Sequence, residues 1–126
     1  MRSLTLNLFL FLLIQCSLSG CKTKQRLPDP LAAGWKNQQV CKLLEENKDL
    51  RVLKCTFEPG VGHERHYHPL HFGYALQGGT FRIKDQNGVR EVKLASGSHF
   101  FSKGTEWHEV LNIGDSTAVY LIFEPK

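Results

Sequence analysis

From position 38 onward, short β-compatible runs alternate with turn-forming residues, and no stretch carries apolar residues at helical spacing. The runs cover 40–45, 50–57, 63–68, 71–77, 80–84, 89–94, 98–101, 106–111 and 117–124. Between them stand Asn47-Lys48-Asp49, Pro59-Gly60, Pro69, Gly78-Gly79, Asp85-Gln86-Asn87-Gly88 and Asn112-Ile113-Gly114-Asp115. Asn87-Gly88 is the strongest of these signals, since both residues tolerate positive φ in a two-residue hairpin. Strands this short, with turns this regular, predict an all-β fold built as an antiparallel barrel or sandwich.

Within one run the faces are informative. His71, Gly73, Ala75 and Gln77 share one side of 71–77, and Phe72, Tyr74 and Leu76 share the other. If His71 points inward, its small neighbours leave open space beside it, while the bulky face packs on another sheet or a second subunit. Phe100 and Phe101 read as core, and His99 beside them as a structural or surface residue.

The chemistry concentrates between Gly60 and His71. His63, His66, His68 and His71 fall there, four of the six histidines of the chain. His66 and His68, two apart on an extended strand, face the same way, as ligands to a transition ion would. His63 lies three residues before His66 and on a regular strand points to the opposite face, which predicts a rim or surface position. Glu106, two before His108, is placed to share its face and act as proton acceptor or orienting carboxylate; a solvated strand-end residue is the other reading. There is no nucleophile elbow, no phosphate-cradling glycine loop and no recognisable carboxylate pair.

These residues resemble the two motifs of the cupin superfamily. Gly60, five residues, His66, Tyr67 and His68 open the first, G(X)5HXH(X)3-4E(X)6G, and Gly78 closes it. Phe72 and Gly73 stand where the acidic residue is expected, and counting back from Gly78 puts His71 in its place. Gly97, Gly104, His108 and Asn112 echo the second motif, G(X)5PXG(X)2H(X)3N, with the proline absent and Gly104 one residue early. The resemblance implies a single-domain cupin-type antiparallel β-barrel, also called a double-stranded β-helix or jelly roll, over residues 36–126. It implies His66, His68, His71 and His108 as ligands of a divalent transition metal, with Fe expected for catalysis and Zn, Mn, Ni or Cu as alternatives. His63, Tyr74, Gln77 and Asn112 are then candidates for substrate contact or support of the ligands, Asn112 fitting a turn-organising role. An all-histidine site resembles those of some thiol-oxidising and diketone-cleaving cupin dioxygenases. The stretches GHERHYHPLHFGYALQGGTFRI and EWHEVLNIGD are similar to small cupins linked to β-alanine degradation, which implies a small polar metabolite. Three functions are compatible with this: a metal-dependent dioxygenase-like enzyme, a non-catalytic cupin that binds or senses a small ligand, and, with less support, a metal-storing or structural role. Cupins usually pair through their sheets, which implies a homodimer.

Residues 1–20 carry Arg2, an apolar run over 4–14 and then Leu18-Ser19-Gly20-Cys21, the layout of a secretory signal peptide ending in what resembles a bacterial lipobox. Cys21 is the expected lipidation site, and residues 21–35, polar and proline-containing, the expected tether. Lys22 rather than Asp after the cysteine points to the outer membrane, periplasmic side, so the membrane is an expected partner through the lipid. The formal charge of +4 is scattered, without a basic stripe interleaved with aromatics, so a nucleic-acid partner is not expected. Cys41 and Cys55 are the two cysteines left for the domain. A hairpin turning at Asn47-Lys48-Asp49 sets them nearly opposite, as a disulfide or as two small buried thiols.

Overall fold

The structure, a computed structural model, describes residues 26–126. The expected signal peptide, Cys16, the lipidation site Cys21 and the first residues of the expected tether lie outside them.

Eleven strands and no helix make up the described residues. They are β1 (Gly34–Trp35), β2 (Gln38–Gln39), β3 (Cys41–Glu46), β4 (Leu50–Phe57), β5 (Gly62–His68), β6 (His71–Gln77), β7 (Gly79–Asp85), β8 (Gly88–Leu94), β9 (His99–Ser102), β10 (Thr105–Asn112) and β11 (Ala118–Pro125). All pairings are antiparallel. A five-stranded sheet has the order β3-β4-β11-β6-β9, a four-stranded one β5-β10-β7-β8, and β1-β2 form a separate ribbon.

Alternation drives the closure of the two larger sheets onto one another. On β11 Ala118, Tyr120, Ile122 and Glu124 are buried while the residues between them are not. On β4 Leu53, Cys55 and Phe57 point the same way. Phe57 meets Phe81 of the opposite sheet edge to face, ring centroids 5.3 Å apart, and Tyr120 closes the group at 5.6 Å from Phe81. Cys41 and Cys55, directly opposed across β3 and β4, are joined by a disulfide. In the β7–β8 hairpin only Gly88 takes positive φ, at 115°, and Asn87 instead donates its N–H to the Asp85 carboxylate at 2.8 Å.

Two expectations are corrected. The segment read as tether is part of the fold from Pro28 onward. Pro28 O accepts the Tyr67 N–H (3.1 Å), Trp35 covers Gly62, and Glu64 takes the Lys36 N–H (3.0 Å), so residues 28–37 lie along β5. A polar, proline-rich composition predicted a linker because the side chain that anchors it, Asp29, finds its partner Arg51 only in the folded sheet. Phe100 and Phe101 are not core: they are 39% and 62% exposed.

Candidate metal centre

The strand β5 carries three of the histidines, and its register decides which of them meet. Along the β5–β10 ladder His108 opposes His66 and Val110 opposes His63, so two steps on β10 are matched by three on β5. That extra residue is a β-bulge. Glu64 and Arg65 both turn to solvent, and His63 returns to the face of His66 and His68. His63 is therefore not a rim residue but is buried in the interior, its ring 3.9 Å from that of His66.

A second irregularity lies between Thr105 and His108, where three steps on β10 oppose two on β5. It rotates Glu106 away from the face of His108. Glu106 is exposed and lines no part of the interior cavity, the position of a solvated strand-end residue.

The Nε2 atoms of His66 and His68 lie 3.0 Å apart, and those of His66 and His108 2.9 Å. The three imidazoles form the metal-ligand cluster of the described residues. Nitrogens about 2.1 Å from one ion and at right angles to each other stand about 3 Å apart, so the spacing fits a facial set of ligands. The tautomers fit as well. His66 Nδ1–H donates to Glu64 O at 2.6 Å, which leaves Nε2 as a lone pair. His68 Nδ1 has no hydrogen-bond partner and faces Glu124 Oε1 at 3.6 Å, an atom that is itself unpartnered. With its proton on that side, His68 also turns a lone pair to the cluster. Two lone pairs 3 Å apart repel, and a cation between them reverses the sign of that interaction.

Burial, and then the neighbouring imidazoles, push His68 and His108 down to about 2 and His66 to about 3. Burial likewise lowers His63 to about 4, against the opposing backbone of Ala33 and Pro30. All four are neutral at physiological pH, the form that binds metal.

His71 is buried beside the three but outside the cluster. Its ring stacks on His68 at 4.3 Å and 29°, and Nδ1–H donates to Pro69 O at 2.8 Å. His71 lines the interior cavity, and on its other side the Phe100 ring lies on the bare backbone of Gly73 and edge-on to His71. Tyr74 and Gln77 are exposed and are not part of the cavity lining. Asn112, fully buried, organises the turn: its amide donates to Phe57 O (2.9 Å) and Ser116 O (2.8 Å), and its oxygen accepts the Gly114 N–H (2.9 Å). Its backbone also links the two motif regions, accepting the Gly60 N–H and donating to Val61 O.

Glu124 was not expected as a functional residue. It is 2% exposed, and its other oxygen accepts from Arg51 Nε and Nη2 at 2.6 and 2.5 Å, while Arg51 Nη1 reaches Asp29 at 2.6 Å. Burial alone would weaken these charges, but the mutual hydrogen bonds outweigh it, raising Arg51 and lowering Asp29. The signal lay in the β11 alternation, where a carboxylate occupies an inward position after Ala118, Tyr120 and Ile122.

The histidines face a cavity of about 110 Å³ whose other wall is apolar, with Phe57, Phe81, Ile83, Val110 and Ile122 beside Tyr120. No Asp, Glu, Lys or Arg lines it. The Tyr120 hydroxyl and His63 Nε2 are buried without partners, and burial raises Tyr120 to about 12.

An antiparallel β-barrel with converging interior histidines is the architecture of a metal-binding cupin. The cupin domain family profile matches residues 53–124, more than half of the chain, and the chain belongs to that family. Its fold is similar to a cupin domain from Bordetella pertussis Tohama I, at 20% identity and a TM-score of 0.64, covering 69% of this chain and 92% of that one. It is also similar to the polyketide cyclase RemF from Streptomyces resistomycificus, at 18% and 0.56, covering 68% and 63%. A predicted oxalate decarboxylase from Thermotoga maritima matches at 19% and 0.52, covering 68% and 79%. At these identities the likeness speaks for the fold alone. Comparison with curated proteins gives no match. Cupins commonly bind a divalent metal, and the three imidazoles provide for one.

Proposed function

We propose that this cupin is an exported, metal-dependent, dioxygenase-like enzyme acting on a small metabolite. The observation that carries the metal is the convergence of three neutral Nε2 atoms at the end of an apolar cavity. His66, His68 and His108 hold the ion, Fe being the one expected for catalysis. A bound transition ion supplies Lewis acidity and, if redox-active, electrons for dioxygen chemistry. The chain fixes the imidazole tautomers through Glu64 O and Glu124, and the apolar wall keeps water from the cavity beside the ion. A second reading, capture of a ligand without turnover, is favoured by one observation: no carboxylate reaches the cavity to move a proton.

Export and lipidation at Cys21 are supported by the residues Leu18-Ser19-Gly20-Cys21, and the Cys41–Cys55 disulfide suits an oxidising compartment. A homodimer is supported by Tyr74, Leu76 and Phe101, exposed on the outer face of the five-stranded sheet. Sedimentation of the chain beside Phe101→Glu tests the pairing, and fatty-acid labelling beside Cys21→Ser tests the anchor.

Metal analysis of the full chain purified without chelators decides the main reading. Near-stoichiometric metal, lost in a His66→Ala/His68→Ala double variant, supports the site; iron would lead to oxygen-uptake assays with small thiols, diketones and amino-acid metabolites. No metal after reconstitution with several divalent ions would sink the metalloenzyme.

A further inference from the structure

The cavity says more about its ligand than the metal does. Its charged neighbours are already committed: Arg51 is held by Asp29 and Glu124, and the free oxygen of Glu124 is turned to His68. A buried ammonium group would therefore meet no carboxylate, and a second anionic group no free cation. Without such a partner, burying an isolated charge is strongly unfavourable. An aromatic cage does not offer an alternative, because Phe57, Phe81 and Tyr120 meet edge to face and are packed on one another.

We infer that the ligand is a compact molecule with an apolar body and one metal-directed oxygen function, carrying at most a neutral hydroxyl or carbonyl besides, and not an amino-acid zwitterion. The inference depends on the proposed metal only for the position of the polar end. Two residues of the lining, Tyr120 and His63, each carry a buried polar atom without a partner, Oη and Nε2, which suits a neutral hydroxyl or carbonyl. Size is limited as well. About 110 Å³ is somewhat smaller than the roughly 150 Å³ at which an engineered apolar cavity holds benzene, so the ligand has about four to six non-hydrogen atoms. Phe100 sets the limit at the mouth, being the one solvent-exposed side chain of the lining, with its ring seated on Gly73. The implied small polar metabolite thus becomes one that is polar at a single end.

Methyl NMR of the full chain, followed at Ile83, Val110 and Ile122, tests this with isobutyrate and β-alanine, which have the same number of non-hydrogen atoms. In the Zn(II)-loaded chain isobutyrate is expected to bind about tenfold or more tightly than β-alanine. In the metal-free chain isobutanol takes the place of isobutyrate and shows the same order against β-alanine. Phe100→Ala is expected to raise the affinity for hexanoate relative to isobutyrate by about tenfold. Equal or tighter binding of β-alanine, or no response of these methyls to either apolar probe, overturns the inference. An unchanged hexanoate ratio overturns the role of Phe100. A chain that takes up no Zn(II) fails the metal reading instead, while the isobutanol comparison still decides the ligand class.

Discussion

His68 Nδ1 and Glu124 Oε1 face each other across 3.6 Å inside the barrel, and neither has another partner. A carboxylate behind a ligating imidazole fixes its tautomer and strengthens its lone pair. Glu124→Gln keeps the size and an acceptor for Arg51 but removes the charge behind His68. Zn(II) affinity, measured by competition with a chelator, is expected to fall about 10- to 100-fold. Glu124→Ala in addition leaves Arg51 with Asp29 alone and is expected to destabilise the fold by about 3–5 kcal/mol. Unchanged affinity in the Gln variant would remove Glu124 from the metal site.

Much of this arrangement is legible in the sequence, because period-two alternation and turn residues are local signals. The strand runs, the opposition of Cys41 and Cys55, and the common face of His66 and His68 all follow from them. What is not legible depends on pairing. Regular alternation puts His63 on the opposite face from His66, because the bulge is set by the register with β10, which no residue of β5 announces. The shift between Thr105 and His108 is equally silent in the sequence of β10. Asp29 reads as part of a linker until Arg51 is brought beside it from 22 positions away. Glu124, by contrast, was in plain view as a charge at an inward position.

Gly73 is small so that Phe100 can lie on it. A Cβ there would fall inside the van der Waals envelope of the ring. Gly73→Ala is expected to drive the ring from the mouth and destabilise the domain by about 1–3 kcal/mol. In a Phe100→Ala background the same change should be nearly neutral, a coupling of about 1 kcal/mol or more in a double-mutant cycle. Additive effects would mean that the two residues do not share this contact.

Acid should unfold the metal-free chain early. His63, His66, His68 and His108 are held below their ordinary value of 6.5, at about 4, 3, 2 and 2. Below pH 6.5 the unfolded chain takes up protons that the folded chain does not, so stability present above 6.5 is lost as pH falls towards the folded values. Each histidine contributes a slope of up to about 1.4 kcal/mol per pH unit in that window. Urea unfolding at successive pH values should show a steep decline from 6.5 to 4. A flat profile would mean that these rings are solvated.

Reduction of the Cys41–Cys55 disulfide, whose partners are 14 residues apart, is expected to lower stability by about 2–3 kcal/mol. The hairpin keeps its turn, in which Asn47 Oδ1 accepts the N–H groups of Asp49 and Leu50, so the fold should survive. Urea melts with and without reductant give the difference, and a value near zero would show that β3–β4 pairing alone restrains this loop.

The position of His71 separates two kinds of site. Its motif position would make it the fourth ligand, yet the structure stacks it on His68 and leaves three nitrogens, not four, within 4.8 Å of one another. Removing a ligand withdraws a coordinate bond, whereas removing a stacked neighbour withdraws packing. His66→Ala and His108→Ala are therefore expected to abolish stoichiometric Zn(II), while His71→Ala retains it with affinity reduced by less than about tenfold. A Co(II) spectrum distinguishes the cases further, since loss of a ligand changes the coordination number and loss of a neighbour does not. Loss of metal from His71→Ala as complete as from His108→Ala would make the centre a four-histidine one, with His71 turning towards the ion when it binds.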